Sequence, residues 1–244
     1  MNNKFNNMFY GTVMLAFLFA YSLSYSDDNE IYVDQAGASA SIDIEQLGSG
    51  NLVGGLNSSA GSMTPLDLDG ATMSLDLNLI GDSNKFLGDI TSDSFTGIFD
   101  LDGDSNQYTI QVDPTNSNNA DSSNVNVDVD GSTNTMTLDL ATNSLASGAD
   151  IDTIVQGSSN TVHIDLDVDS ATNYIDLDGD SNTVDYNGDG YAGAYFKLEH
   201  DGGSRSFDID QQSTLDNDWL RVTSTGSNGS VCIQQNDQGT STSC

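Results

Sequence analysis

A four-residue motif, Gly-x-x-Asn, recurs through most of the sequence and constrains the fold more than any other feature. Two of the intervals between consecutive copies equal 22 residues, and the longer string Asp-Leu-Asp-Gly-Asp-Ser-Asn occurs twice. Self-similarity at a fixed spacing is typical of repeat proteins, in which each unit folds against its neighbours. The copies of the motif comprise Gly48 and Asn51, Gly81 and Asn84, Gly103 and Asn106, Gly131 and Asn134, Gly157 and Asn160, and Gly179 and Asn182.

Apolar and polar residues alternate between the motifs, as in residues 162–168, Val-His-Ile-Asp-Leu-Asp-Val. This alternation has the period of a half-buried β-strand. Aliphatic residues also recur at a step of 11, as at Val155, Leu166 and Leu177. Right-handed coiled coils share that step, but Gly and Asn would break such helices, whereas both residues suit tight turns. The pattern therefore predicts units of strand, turn, strand and turn.

A single unit of two strands cannot bury its apolar side, so the units must stack and hydrogen-bond to one another. We therefore predict an all-β repeat protein, a β-solenoid of ~22-residue strand-turn-strand units that ends in a C-terminal cap. An antiparallel β-sandwich or meander would use the same alternation and turns and is the alternative fold. Pro65 and Pro114 lie in the stretches 57–74 and 113–124, which interrupt the repeat and are predicted to be loops.

The charge of the chain limits the partners that it can bind. The sequence has 37 acidic and 5 basic residues and a formal net charge of −32. Nucleic acids and anionic membranes are therefore not expected as partners, because both are bound through Lys and Arg. Cations are the natural counter-species, although the charge also favours solubility. Nearly all of the acids are Asp, a poor helix former, which argues against long helices.

Residues 1–26 have the features of a secretory signal peptide: a positive end at Lys4, an apolar run, and small residues before the predicted cut. We therefore expect a secreted or cell-surface protein. Cys232 and Cys244 are the two cysteines of the chain. In an exported protein they are predicted to form a disulfide that pins the C-terminal tail.

The repeats resemble the curlin repeats of bacterial surface amyloid fibres, in which Gln-x-Gly-x-x-Asn turns alternate with strands. Residues 46–51, Gln-Leu-Gly-Ser-Gly-Asn, are the fullest match, and residues 35–37, Gln-Ala-Gly, are a partial one. Later units keep Gly-x-x-Asn but have an aliphatic residue at the Gln position, which should form an apolar core where the family has Gln ladders. These aliphatic residues are Leu79, Leu101, Val129, Val155 and Leu177.

The resemblance covers most of residues 31–190, and the chain divides accordingly into a signal peptide (1–26), a curlin-like β-repeat region (27–192) and C-terminal repeats with a disulfide-pinned cap (193–244). It implies an exported structural or adhesive protein, a fibre or appendage subunit that binds copies of itself or surface components. A monomeric calcium-stabilised surface adhesin module is the first alternative. A carbohydrate-active β-helix enzyme is the second.

One segment matches the start of a calcium-binding loop, because Asp185, Asn187 and Asp189 follow the pattern Asp-x-[Asp/Asn]-x-[Asp/Asn]-Gly. The twelfth position is Phe196 instead of the bidentate Glu that completes such a loop, so a hydrophilic turn is the alternative interpretation. Calcium is the one cofactor that the sequence suggests.

We predict no enzymatic activity, because the common catalytic motifs are missing from the sequence and Asp is so abundant that a pair suited to glycoside hydrolysis is uninformative. His163 and His200 are both expected to be solvated. Tyr195, Phe196 and Trp219 are expected to cover the end of the stack, and exposed rings for carbohydrate binding are the alternative.

Overall fold

The computed structural model describes residues 30–54, 56–57, 62–113, 120–141, 146–190, 193–212 and 218–236. The described residues form a β-solenoid of about eight turns, which confirms the predicted fold class. The described residues form strands and no helix, and a helical membrane span is therefore not found in this part of the chain. The predicted signal peptide, Pro114 and Cys244 lie outside the described residues.

Twenty strands follow one another along the described chain. Their bounds are β1 Glu30–Ile31, β2 Asp34–Ala36, β3 Ser39–Leu47, β4 Leu52–Val53, β5 Leu56–Asn57, β6 Ser62–Met63, β7 Leu66–Ile80, β8 Lys85–Asp102, β9 Gln107–Val112, β10 Asn124–Asp130, β11 Thr135–Leu140, β12 Ala146–Ser147, β13 Asp150–Gln156, β14 Thr161–Asp169, β15 Thr172–Asp178, β16 Thr183–Asp189, β17 Tyr195–Asp201, β18 Arg205–Gln212, β19 Trp219–Thr225 and β20 Gly229–Asn236.

Strands of successive turns pair in parallel and form two series. Stack A consists of β3, the second halves of β7 and β8, and then β10, β13, β15, β17 and β19. Stack B consists of β1, β2, β4, the first halves of β7 and β8, and then β9, β11, β14, β16, β18 and β20. Among the described strands only the short β5–β6 hairpin is antiparallel, so the sandwich alternative is wrong.

The turns of the solenoid differ in length, because some of them carry extra residues between strands. Corresponding Asn residues are 33, 22, 28, 26 and 22 residues apart. The predicted loop at 57–74 is too long, since Leu66–Ile80 is one continuous strand. Gly70 lies within this strand, so close to the Gly37 carbonyl of the previous turn that a Cβ would not fit.

Inward-facing side chains form continuous apolar columns that run along the solenoid. The aliphatic residues two positions before the motif Gly confirm the prediction of an apolar core, because all are at most 1% exposed: Leu79, Leu101, Val129, Val155 and Leu177. Gln46 begins this column and His200 continues it after Leu177. The prediction that His200 is solvated is wrong. Its Nδ1 lies 2.9 Å from the Ser224 hydroxyl and its Nε2 lies 3.2 Å from the Gly179 carbonyl.

The Asn residues of the motif form a buried hydrogen-bonded ladder. The backbone N–H of Asn51 donates to Asn84 Oδ1 at 2.8 Å, and the N–H of Asn84 donates to Asn106 Oδ1 at 2.7 Å. Within its own turn, Asn84 Nδ2 donates to the Gly81 carbonyl at 2.8 Å. Asn84 thus accepts an N–H of the previous turn while it closes its own turn. The bond from a backbone N–H of the previous turn to Oδ1 recurs at Asn106, Asn134, Asn160 and Asn182, which explains why the motif ends in Asn.

The Gly residues of the motif allow the backbones of successive turns to come into contact. Gly131 has φ +135°, which side-chain-bearing residues rarely adopt. A Cβ at this position would overlap the carbonyl oxygen of Gly103 in the previous turn. The column continues beyond the last Gly-x-x-Asn motif with Gly202 and Gly226, whose turns have Arg205 and Gly229 where the earlier turns have Asn.

Replacement of Asn84 by Ala tests the ladder. The substitution leaves the buried N–H of Asn51 and the carbonyl of Gly81 without their side-chain partners, so we expect the free energy of unfolding to fall by about 2–4 kcal/mol. Asn126→Ala is the matched control, because Asn126 is exposed on the outer surface, and it should change stability by less than about 0.5 kcal/mol. Equal effects of the two variants in chemical denaturation would contradict the ladder's role.

Candidate functional site

Outward-facing side chains of stack B form a column rich in Asp. Because the strands are parallel and in register, the column has one residue per turn, about 4.8 Å from the next. At most three Asp residues follow one another before an amide side chain occurs. In chain order the column contains Asp34, Asp67, Asp89, Gln111, Asp139, Asp165, Asn187, Asp210 and Gln234.

The amides in this column replace repulsion by hydrogen bonds. Two carboxylates one turn apart repel each other by ~1 kcal/mol even in water-like surroundings. Asn187 Nδ2 instead donates to Asp165 Oδ1 at 2.9 Å, and Gln111 Nε2 donates to Asp139 Oδ2 at 3.3 Å. The column is therefore divided into short acidic runs.

Several carboxyl groups on the outer surface have raised pKa values. Burial raises the pKa of Asp167 to about 6, and the neighbouring charges of Asp189, Asp169 and Asp165 contribute to the shift. Burial is also the first cause, and nearby carboxylates the second, at most of the other shifted groups. At Asp165 the hydrogen bond from Asn187 partly opposes the increase. The other carboxyl groups with raised pKa values are those of Asp67, Asp89, Asp128 and Asp152.

The segment predicted to start a calcium loop is part of a strand. Asp185, Asn187 and Asp189 alternate along β16 and face outward, so neither the loop nor the alternative turn is found there. Asp185 Oδ2 lies 3.1 Å from Nδ1 of His163 on the adjacent turn. Among the described residues, no group of three or more His, Cys, Asp or Glu side chains is gathered closely enough to hold a metal ion. Calcium binding stays a prediction.

The aromatic residues expected to cover the end of the stack lie in its walls. Phe196 is fully buried in the core, where its ring contacts that of Tyr186. Tyr195 and Trp219 lie on the outer surface of stack A, 38% and 40% exposed, and their rings stack in parallel with centroids 4.2 Å apart. The interpretation of all three rings as a cap is therefore wrong.

Basic side chains are concentrated beside these two rings. Lys197 and Arg221 are neighbours in one outward column of stack A. Lys197 Nζ lies 4.5 Å from the centre of the Tyr174 ring and 3.0 Å from Glu199 Oε2. Hydrogen bonds from Lys197 and Tyr174 lower the pKa of Glu199, and the charge of Arg221 adds to the effect. The C-terminal turns thus carry positive charge on an otherwise acidic surface.

The two ends of the solenoid have opposite charge. Strands β19 and β20 contain no acidic residue and one basic residue, Arg221, whereas β1, β2 and β3 contain four acids and no base. Among the described strands, none pairs with the outer edge of β3 or of β19. The acids of the first turn are Glu30, Asp34, Asp43 and Glu45.

Inward-facing apolar residues are accessible at the C-terminal end. Val231 and Ile233 of β20 are 41% and 43% exposed, although their counterparts one turn earlier, Phe207 and Ile209, are buried. Cys232 lies between them, and because Cys244 lies outside the described residues, the disulfide stays a prediction. The sequence alone shows that residues 219–236 contain no acid. It does not show that they form the end of the solenoid, because that requires the register of the strands.

Acidification tests the raised pKa values. A carboxyl group whose pKa is higher in the folded than in the unfolded chain binds its proton more tightly when folded, so stability should rise as the pH falls from 7 through about 6. We expect the melting temperature to increase over this interval. Asp167→Asn should raise it at pH 7 and weaken its pH dependence. A melting temperature that falls over the same interval in both proteins would contradict the assignment.

Comparison with known proteins returned no relative for this chain: no family model, no curated protein and no solved structure matches it.

Proposed function

We propose that this chain is an exported structural subunit that joins copies of itself end to end into a fibre or surface appendage. An unpaired strand edge is a template for another strand of the same kind. The outer edges of β1 and β2 in the first turn, and of β20 at the C-terminal end, pair with no other strand among the described residues. The first turn of one copy can therefore continue the parallel pairing at the last turn of another.

The charge difference between the two ends is the observation that carries this proposal. A net charge of −32 makes copies of the chain repel one another in most orientations. Contact between the strands β19 and β20, which contain no acid, and the acidic first turn reduces that repulsion, whereas contact between two first turns brings eight acids together. Head-to-tail contacts of this kind generate open filaments.

Apolar contacts support the same orientation. Val231 shares an inward column with Ile31, and Ile233 shares one with Val33, so a first turn added at the C-terminal end covers these exposed side chains with aliphatic ones. Burial of apolar surface contributes about 25 cal/mol per Å². The association thus has a driving force as well as an orientation.

The sequence features agree with this function. The resemblance to curlin repeats implies a surface fibre, and the signal-like residues 1–26 imply export. Aliphatic columns take the place of Gln ladders, so cohesion between turns depends on a hydrophobic core. Attachment to surface components and a location outside the cell are parts of the same proposal.

Electron microscopy and light scattering of the purified chain at increasing concentration test the proposal, in physiological salt with and without millimolar Ca²⁺. We expect fibres in both conditions, growth that accelerates with concentration, and a shorter lag when fragmented fibres are added as seeds.

A chain that stays monomeric at every concentration would contradict self-assembly. If its melting temperature also rose with Ca²⁺ and not with matched Na⁺, the result would favour the calcium-stabilised surface module instead.

A further inference from the structure

Stack B begins with β1 and β2 and ends with β20, so its two outer edges belong to the two ends of the solenoid. A second copy whose first turn pairs with β20 continues stack B, with residues of the two copies about 4.8 Å apart. On stack A this placement leaves one strand position open between β19 and the incoming β3. Along the chain that position comes directly after β20, and residues 237–244 are the part of the sequence that follows β20. The contact between the copies is therefore made along stack B.

One inward column of stack B has amide side chains at both of its ends. Followed from turn to turn through the register, Gln35 begins the column, and Gln211 and Gln235 end it. The positions between Gln35 and Gln211 are Leu68, Ile90, Val112, Leu140, Leu166 and Gly188. The amides thus occupy the positions that come together when the first turn of one copy follows the last strand of another.

The hydrogen bonds of Gln211 provide an independent observation. Gln211 is 1% exposed, and its Nε2 donates to the Ala194 carbonyl at 3.1 Å, but its Oε1 has no hydrogen-bond partner among the described residues. Its neighbour in the column, Gln235, is exposed in the last strand. Side-chain amides at this spacing bind one another in ladders, and an incoming Gln35 covers Gln235 and holds it in such a ladder. Because an unpaired buried oxygen is unfavourable, the column is incomplete in a single copy.

The outward column beside it carries complementary groups at its two ends. Its first residue is Asp34 and its last is Gln234. Within the chain, amides of this column donate to carboxylates one turn away, as Asn187 does to Asp165 at 2.9 Å. Gln234 Nε2 donates to Cys232 Sγ at 4.0 Å in its own strand, and because a side-chain amide has two N–H groups, it can also donate to an incoming Asp34.

Side-chain chemistry selects one register for this contact. In the continued columns Gln35 meets Gln235, and Val33 meets the exposed Ile233. A shift by two residues keeps the same side chains inward but places Gln35 on Ile233 or Val33 on Gln235. A shift by one residue turns the side chains of the incoming strand to the opposite side. Each alternative therefore sets amides against aliphatic groups or leaves the aliphatic groups exposed.

Resting on the proposed end-to-end assembly, we infer that β1 and β2 of one copy dock on β20 of another in a single register. Gln235 and Gln35 form an amide pair on the inward side of this junction, and Gln234 donates to Asp34 on the outward side. Growth of the fibre is then directional, because only unlike ends fit.

A charge introduced at Gln234 tests this register through the rate of seeded elongation at neutral pH. Gln234→Asp places a carboxylate against Asp34, so this variant should elongate about tenfold more slowly than the unmodified chain. Adding Asp34→Asn restores a pair of carboxylate and amide with the two partners exchanged. The double variant has the net charge of the unmodified chain and should regain its rate.

Two controls separate the register from net charge. Gln111→Asp introduces the same charge beside Asp139 in the middle of the same column, and it should elongate at the unmodified rate. Asp89→Asn combined with Gln234→Asp lowers the charge as much as Asp34→Asn does but leaves Asp34 at the junction, so this variant should stay slow.

The register is wrong, and the proposed function stands, if Gln234→Asp elongates at the unmodified rate while the unmodified chain forms fibres. The same conclusion follows if Asp34→Asn does not restore growth, or if Asp89→Asn restores it equally. If the unmodified chain forms no fibres, the proposed function itself fails.

Discussion

Parallel backbone hydrogen bonds place each residue of this chain about 4.8 Å from its counterpart in the next turn, and the rest of the structure depends on that spacing. A residue type that suits one turn is repeated in the following turns, because each column shares one environment. Aliphatic side chains are stabilised by this arrangement, because they bury one another along the core. The motif Asn is stabilised as well, because its Oδ1 accepts a hydrogen bond from the backbone N–H of its counterpart in the previous turn.

The same spacing penalises charge, and this chain is almost entirely acidic in its charged residues. Amide side chains divide the stack B column into short acidic runs, and partial burial favours protonation of carboxyls such as Asp167. Strands β19 and β20 contain no acid, so repulsion is weakest at the end where the proposed assembly adds a second copy.

Much of the fold could be predicted from the sequence, because alternation and the Gly-x-x-Asn motif are local signals. The exact pairing could not, since extra residues between strands make the turns unequal and hide the register. Local signals were also misleading at the predicted loop 57–74, the second half of which belongs to the strand Leu66–Ile80, and at His200, whose acidic sequence neighbours concealed an inward-facing position. Thr133, at φ 65°, is held in a left-handed conformation that its β-branched side chain would not suggest.

The candidate site was hidden for the same reason, because it consists of the two ends of columns whose members are far apart in sequence. Helical reconstruction of assembled fibres by electron microscopy tests the central claim most directly. Stack B has nine strand positions, so continued stacking beyond β20 predicts an axial rise of about 43 Å per subunit. A rise of about 4.8 Å per subunit, in which each chain forms a single flat layer, would contradict the account.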